Sequence, residues 1–473
     1  MPELTSSTFK QQAKAALVDP QLQRSLGRMK VGFRDHRADA VAMLPEFEQL
    51  RKHGKAIKDH TLEHLDTYLE LFEEQVKANG GFVHWARTRD EAREIIGRIC
   101  QENGAGKVLK GKSMITEEID LNDHLESLGM EVLETDLGEY IILLRGEPPS
   151  HIVAPAFHLS KEQVADNFRE SHKDLDPDRD LSESHQLLAE ARQLLRGHFL
   201  RADVGITGAN FLIAQTGSTV IVTNEGNGDL TQGRVRCHIA VASLEKVVPT
   251  VQDASTLLRL LARSATGQEL SVYTTFSTGN RREDDLDGPD AFHVVLLDAG
   301  RSEVIGTSFQ PMLRCIRCGA CMNHCPIYGA IGGHAYGWVY PGPIGAVLNP
   351  SLVGVAGTLD LPAATTSCGR CAEVCPVEIP LPDLMRQWRE RAFADGHMAT
   401  SWRWGLRLWV QLARRPWAFR LANRLGARLL KLMGGKAGKL RKLPFGAAWT
   451  DTRDLPAPAG KTFFERYQED GHE

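Results

Sequence analysis

A chain of 473 residues is longer than one hydrophobic core usually supports, so two or three domains are expected. With 42% hydrophobic and 25% charged residues, and no run approaching the ~18 apolar residues of a membrane helix, the composition is that of an ordinary soluble protein and excludes a membrane-spanning helix. The net charge of −4 conceals an asymmetry: residues 396–450 hold 12 Lys and Arg and no Asp or Glu, so one end of an otherwise acidic chain is built to meet something acidic.

In chain order, residues 1–80 read as charged helices, an N-terminal helical arm in which Leu65, Tyr68, Leu69 and Phe72 recur at helical spacing. The start of the chain has no apolar stretch behind a basic one, so it does not read as a secretory signal and the expected location is the cytoplasm. Residues 81–300 alternate short apolar runs (FVHWA, KVL, EVLET, YIILL, HIVAP, GSTVIVTN, HIAVASLEKVV, LSVYTTF, FHVVLL) with helical segments, the signature of an α/β domain. Residues 301–395 carry the cysteines, split by a Gly/Pro-rich insert that reads as a long irregular loop, and end in a helix at Leu381 to Ala394. Residues 396–450 form a basic segment broken at Pro416, and residues 451–473 a poorly ordered tail.

Seven of nine cysteines fall between positions 315 and 375, and in a cytosolic chain such crowding points to metal rather than disulfides; Cys100 and Cys237 are left as buried thiols. The run Cys315-x2-Cys318-x2-Cys321-x3-Cys325-Pro326 matches the bacterial ferredoxin pattern, in which the fourth cysteine serves the other of two clusters. Its partner is Cys368-x2-Cys371-x3-Cys375-Pro376. Crossing assigns Cys315, Cys318, Cys321 and Cys375 to one iron–sulfur cluster and Cys325, Cys368 and Cys371 to the other, with Thr365 where an eighth cysteine would stand. The expected cofactors are therefore one 4Fe-4S cluster and a second that is either a labile 4Fe-4S or a 3Fe-4S cluster. A zinc ribbon would leave three of the seven thiolates idle, and clusters serving only as braces would not need to be two.

Other motifs carry less. Residues 106–113, GKVLKGKS, fit the P-loop pattern, but the strand-like Val108 and Leu109 lie inside it; the expectation is a strand followed by a helix capped by Thr116, with Glu117 and Glu118 in its first turn. Residues 205–230 gather small and polar residues around a strand, with Asn210, Thr216, Ser218, Asn224, Glu225 and Asn227 as candidates to meet an anionic ligand or simply to make turns. No catalytic triad, paired carboxylates, flavin or nicotinamide fingerprint is identifiable. In the second basic helix Leu421, Leu425, Leu429 and Leu432 form a stripe beside Arg420, Arg424, Arg428 and Lys431; the helix suits packing on its own domain or on an acidic partner subunit or, with four tryptophans nearby, an anionic membrane surface, peripheral to its inner face, and not nucleic acid.

The order of an α/β domain, CIRCGACMNHCPIYGAIGGHAYGWVYPGPIGAVLNP and CGRCAEVCPVEIPL resembles the lactate-utilisation protein B family. KSMITEEIDLNDHLESLGMEVLETDLGEYIILL at 112–144 and ADVGITGANFLIAQTGSTVIVTNEGNGDL at 202–230 extend the likeness over roughly residues 40–395. The resemblance implies an α/β domain like those of CoA transferases and sugar-phosphate isomerases, followed by a helical ferredoxin-like domain. It also implies that Cys315, Cys318, Cys321, Cys325, Cys368, Cys371 and Cys375 hold two 4Fe-4S clusters. The function so implied is electron transfer in oxidation of L-lactate to pyruvate with two partner proteins, toward an acceptor the sequence does not name. Two alternatives stand beside it: an α/β-domain enzyme or ligand-binding module with regulatory or structural clusters, and electron transfer from another 2-hydroxy acid such as glycolate.

Overall fold

The computed structural model describes residues 4–443, 446–450 and 453–469, and the chain divides into two compact units, Met1–Ala392 and Phe393–Glu473. Ten strands belong to the first: β1 Phe82–Ala86, β2 Lys107–Lys110, β3 Glu131–Glu134, β4 Val204–Gly208, β5 Phe211–Ile213, β6 Ser218–Thr223, β7 Cys237–Ser243, β8 Val247–Val248, β9 Tyr273–Ser277 and β10 Ala291–Leu297. Six form a wholly parallel sheet in the order β1-β10-β7-β4-β2-β3, with Val204 of β4 facing Val108 on one side and Cys237 on the other. The rest make a mixed four-stranded sheet, β8-β5-β6-β9.

The parallel sheet is covered on both faces, which is why β7 is apolar almost throughout and buried at every residue. Side chains two apart share a face. Cys237, Ile239, Val241, Val295 and Leu297 pack with Ile96, Ile99, Cys100, Leu121 and Leu125 from the helices of one layer. The intervening Ala240, Ala242, Phe292, Val294 and Leu296 meet Leu65, Leu69, Phe72 and Val76 on the helix Leu65–Ala78. Cys100 and Cys237 are fully buried, and burial pushes both thiols up to about 12, so neither is a reactive thiolate.

The N-terminal helices are packed rather than projecting: Phe9, Leu26, Met29, Phe47, Ile57 and Leu62 share one core with the cysteine region. Two of the apolar runs that read as strands are otherwise. YIILL lies in the helix Leu137–Arg145, opened by Asp136, whose carboxylate accepts from the Glu139 amide, and closed by Gly146 at φ +64°. A short apolar run does not by itself separate strand from buried helix, and here the two caps decide. HIVAP forms turns: the His151 Nδ1 accepts from the amides of Val153 and Ala154 (3.0 and 3.1 Å), which leaves Nε2 to donate to Asn323 Oδ1 at 2.7 Å. Thr116 is not a cap; the helix Met114–Glu118 begins after Ser113, and the Thr116 hydroxyl donates back to the Ser113 carbonyl.

The Gly/Pro-rich insert is not an irregular loop. It contains the helix Gly342–Val353, buried along nearly its whole length, against which Trp388 donates its indole N–H to the Val347 carbonyl at 2.8 Å. A helix apolar on every side has no stripe for periodicity to detect. The helix Leu381–Ala394 forms as expected.

The second unit contains the helices Thr400–Ala413 and Pro416–Gly434, interrupted at Pro416 as the sequence implies. No residue of the former is buried, and of the latter only Gly434 is. The tail carries more order than its composition suggests: β11 Lys439–Leu440 pairs antiparallel with β12 Leu455–Pro456, and Glu465 on the helix Phe463–Glu469 makes ion pairs with Arg424 and Arg428.

Candidate metal centre

The two cysteine motifs build the same turn twice, 50 positions apart. Arg317 (φ +60°) precedes Cys318 and Gly319 (φ +74°) follows it; Ser367 (φ +56°) precedes Cys368 and Gly369 (φ +80°) follows it. A non-glycine residue in the left-handed region is costly, and its recurrence marks a backbone shaped to present side chains inward. Each turn opens a single turn of helix, Ala320–Asn323 and Arg370–Glu373. In the first the Arg317 amide points at Cys315 Sγ (3.4 Å); in the second the Ser367 amide donates to Thr365 Oγ1 (3.0 Å). Thr365 thus occupies the place of the first cysteine of its motif.

The turns sort the thiols into two sets. Cys315, Cys318, Cys321 and Cys375 border one cavity, walled by Ile316, Ile344, Val377, Ile379 and Leu381. Burial, then the neighbouring thiols of the same set, holds Cys318 up to about 12; burial, then Cys318, Cys315 and Cys375 and, last, Cys371 of the other set hold Cys321 well above the ordinary thiol range. Burial pushes Cys375 up to about 11. Cys325, Cys368 and Cys371 are neighbours in turn: burial and then Cys325 raise Cys371 to about 12, whereas the exposed Cys368 is held below its usual range by hydrogen bonds from Thr366 and the Arg370 amide. The fourth cysteine of each motif therefore faces the other motif's set.

Among the described residues no three His, Cys, Asp or Glu side chains converge on a single-ion site. An iron–sulfur cluster sets its cysteines farther apart than one ion does, because iron and sulfide lie between them. The donors present fit such a group. Cys318, Cys325, Cys371 and Cys375 are buried and Cys315 and Cys321 half-buried, the set of four lies behind apolar walls, and backbone amides point at Cys315 and Cys375 Sγ. The buried Tyr336 hydroxyl has no hydrogen-bond partner among the described residues and lies near Cys325, Cys321 and Cys371, thiols of both sets. Cations surround the set of four: Arg37 acts on Cys318, Arg51 donates twice to the Cys375 carbonyl (3.0 and 3.1 Å), and Lys58, Lys246 and Arg317 act on Cys315.

A buried ionic network ties this region to the α/β layer. Arg301 forks onto Glu118 (3.1 and 2.6 Å) and reaches Glu245 (3.3 Å); Tyr340 donates to Glu118 (2.7 Å), and Glu245 continues to Arg317 (3.5 Å). Paired with Arg301 first and Arg317 next, Glu245 is held down at about 2 against its burial. Of the polar candidates in residues 205–230, Asn210, Asn224, Glu225 and Asn227 line a second cavity, whereas Thr216 and Ser218 bond to each other (2.7 Å) away from it. Lys112, Lys246 and Arg317 line that cavity too, and only the P-loop-like pattern around Lys112 drew notice to any of them.

Residues 69–297 match the LUD domain family, and residues 311–379 the 4Fe-4S dicluster domain family. Lactate utilization protein B of Macrococcus caseolyticus is 42% identical, the alignment covering 97% of this chain and 96% of that protein. Lactate utilization protein B of Bacillus pumilus is 40% identical over 98% of this chain and 97% of its own. Among solved structures, a DUF162 family protein from Deinococcus radiodurans covers 49% of this chain and 98% of its own at 15% identity, with a TM-score of 0.28, too loose a superposition to bear on the fold. With full-length relatives at this identity, an α/β LUD domain and a 4Fe-4S dicluster domain behind it, the chain belongs to the lactate utilization protein B family.

Proposed function

We propose that this chain carries electrons from the oxidation of L-lactate to pyruvate, in concert with two other lactate-utilisation proteins, and delivers them to an acceptor outside the chain. The observation that supports the reading is the sorting of seven cysteines into sets of four and three by the crossing a two-cluster ferredoxin requires. On this reading residues 301–395 are a ferredoxin-like module and Cys315, Cys318, Cys321, Cys325, Cys368, Cys371 and Cys375 hold two 4Fe-4S clusters. Residues 81–300 are then a domain of CoA-transferase or isomerase type. Bound clusters of this kind take up and release single electrons, and two in one chain suit a donor that gives two.

The protein's own part is electrostatic and steric. Arg37, Arg51, Lys58, Lys246 and Arg317 offset negative charge at the set of four, which favours acceptance of an electron there. Ile316, Ile344 and Val377 keep water from it. Thr365 leaves the set of three one thiolate short and open to exchange. The basic helices of residues 396–450 rest on an anionic bilayer surface in this reading, since exposed Trp402, Trp409, Trp417, Leu425 and Leu429 accompany cations without an acidic residue.

Growth on L-lactate of a bacterium lacking this chain tests the reading. A wild-type copy restores it, and Cys318→Ser does not. Restoration by Cys318→Ser, with loss confined to changes in residues 81–300, favours instead the α/β domain as the working part.

A further inference from the structure

We propose that the cavity at the carboxyl ends of β2, β4 and β7 binds a small 2-hydroxy or 2-oxo carboxylate, its carboxylate held by Lys246 and Arg317 beside the Cys318 turn. The identity of the acid rests on the lactate-linked reading above; the presence of an anion site rests on the cavity alone.

The position is the one the topology favours for a ligand. β2 and β4 are neighbours, but from β2 the chain runs outward to β3, while from β4 it continues, by way of the second sheet, toward β7 on the other side. The segments that leave them, Gly111–Ser113 and Gly208–Asn210, part at a topological switch point, where open parallel sheets hold ligands. A cavity of about 280 Å³ lies there, roofed by β6. Gly208 permits the close approach of the two segments, since a Cβ on it would stand 2.6 Å from the Ser113 hydroxyl.

The cavity has two chemically different ends. At the cysteine end Lys246 is only 8% exposed, and its ammonium makes no hydrogen bond or ion pair among the described residues. Arg317 stacks on Tyr340 (4.4 Å from the ring centre) and reaches Glu245, yet its Nη1 is buried without a hydrogen-bond partner among the described residues. Glu245 and Cys315 offset part of this charge, and the spare donors of both buried cations are left for an anion to complete. At the far end are Lys112, Asp136 and Glu225, with the buried Asn227 Oδ1 unpartnered among the described residues. Burial and then Asp136 raise Glu225 above the usual carboxylate range. A carboxylate suits the first end, and the rest of the lining supplies acceptors and donors for the hydroxyl or carbonyl of such an acid. Ile152, Arg317 and Cys318 also border the cavity of the four cysteines, so a bound acid lies across a shared wall from the metal centre.

Calorimetric titration of L-lactate, pyruvate and inorganic phosphate into the anaerobically purified full chain tests the assignment, with iron and sulfide content measured alongside. Both acids are expected to bind saturably and phosphate far more weakly. Lys246→Gln should weaken both acids about 10- to 100-fold, the loss of one charge-assisted contact, and Lys246→Arg should restore most of it. Glu225→Gln should weaken L-lactate more than pyruvate; its carboxylate faces Asp136 and Lys112 rather than the cysteines, so it decides the matter if Lys246→Gln loses iron. Absence of binding by both acids, phosphate binding equally well, or wild-type affinity in Glu225→Gln and an iron-replete Lys246→Gln overturns the proposal. If lactate reduces the chain through partner proteins while neither acid binds, this site fails and electron transfer stands; the opposite pattern separates them the other way.

Discussion

At position 365 the second cysteine turn carries a hydroxyl where the first carries a thiol, and the amide two residues on addresses each in the same way. Thr365→Cys should therefore supply the missing thiolate without moving the backbone. Its expected effect is iron content rising toward eight per chain and slower loss of the second cluster's spectrum in air; unchanged iron and air sensitivity would mean that the fourth position is already filled. Arg301 is the residue on which the buried network turns. Arg301→Met would remove the cation shared by Glu118 and Glu245 and leave each with one longer ion pair, to Arg89 and Arg317 (3.5 Å each), a loss of about 3–5 kcal/mol, seen as a fall in the thermal unfolding midpoint, whereas Arg301→Lys should recover part of it. The crossed grouping of the cysteines is readable from their spacing, because ligand spacing is local, and in the structure Cys315, Cys318, Cys321 and Cys375 border one cavity. Lys246, Arg317 and Arg301 were invisible to spacing, because their significance lies in being brought together from separate elements.

The helices illustrate when pattern suffices. Leu65, Leu69, Phe72 and Val76 were legible because one face is buried and the other wet, while Gly342–Val353, buried all round, offered composition without period and read as a loop. YIILL failed for a related reason: its apolar run is short, and the Asp136 cap and Gly146 stop, both present in the sequence, outweigh it. The basic helices were legible in full, and their apolar stripe is exposed: Leu421 at 50%, Leu425 at 57% and Leu429 at 60%. The chain is expected to sediment with vesicles containing anionic phosphatidylglycerol and not with neutral phosphatidylcholine. Leu425→Glu combined with Trp417→Glu should abolish this, and high salt weaken it. A chain left in the supernatant with anionic vesicles points to an acidic protein partner instead.

For the whole molecule, two parallel-sheet faces and one mixed core place the cysteine region directly against the LUD layer, and buried histidines sit in that packing. His151 and His238 are essentially unexposed, and burial lowers them to about 4 and about 3. Both are neutral when folded, while the unfolded chain protonates them below about 6.5. Their stabilising effect is full above that pH and is lost as pH falls toward their folded values, at up to about 1.4 kcal/mol per pH unit for each. The unfolding midpoint should thus drop between about pH 6.5 and pH 4, and His238→Gln should make the drop shallower; an equally steep fall in that variant would place the effect elsewhere.

The most direct test of the electron path is electron paramagnetic resonance on the anaerobically purified chain with its two partner proteins, recorded before and after L-lactate is added. Reduced-cluster signals that appear with lactate, and fail to appear in Cys318→Ser, are the predicted result. Clusters that dithionite reduces but lactate never does, with both partners present, would contradict it.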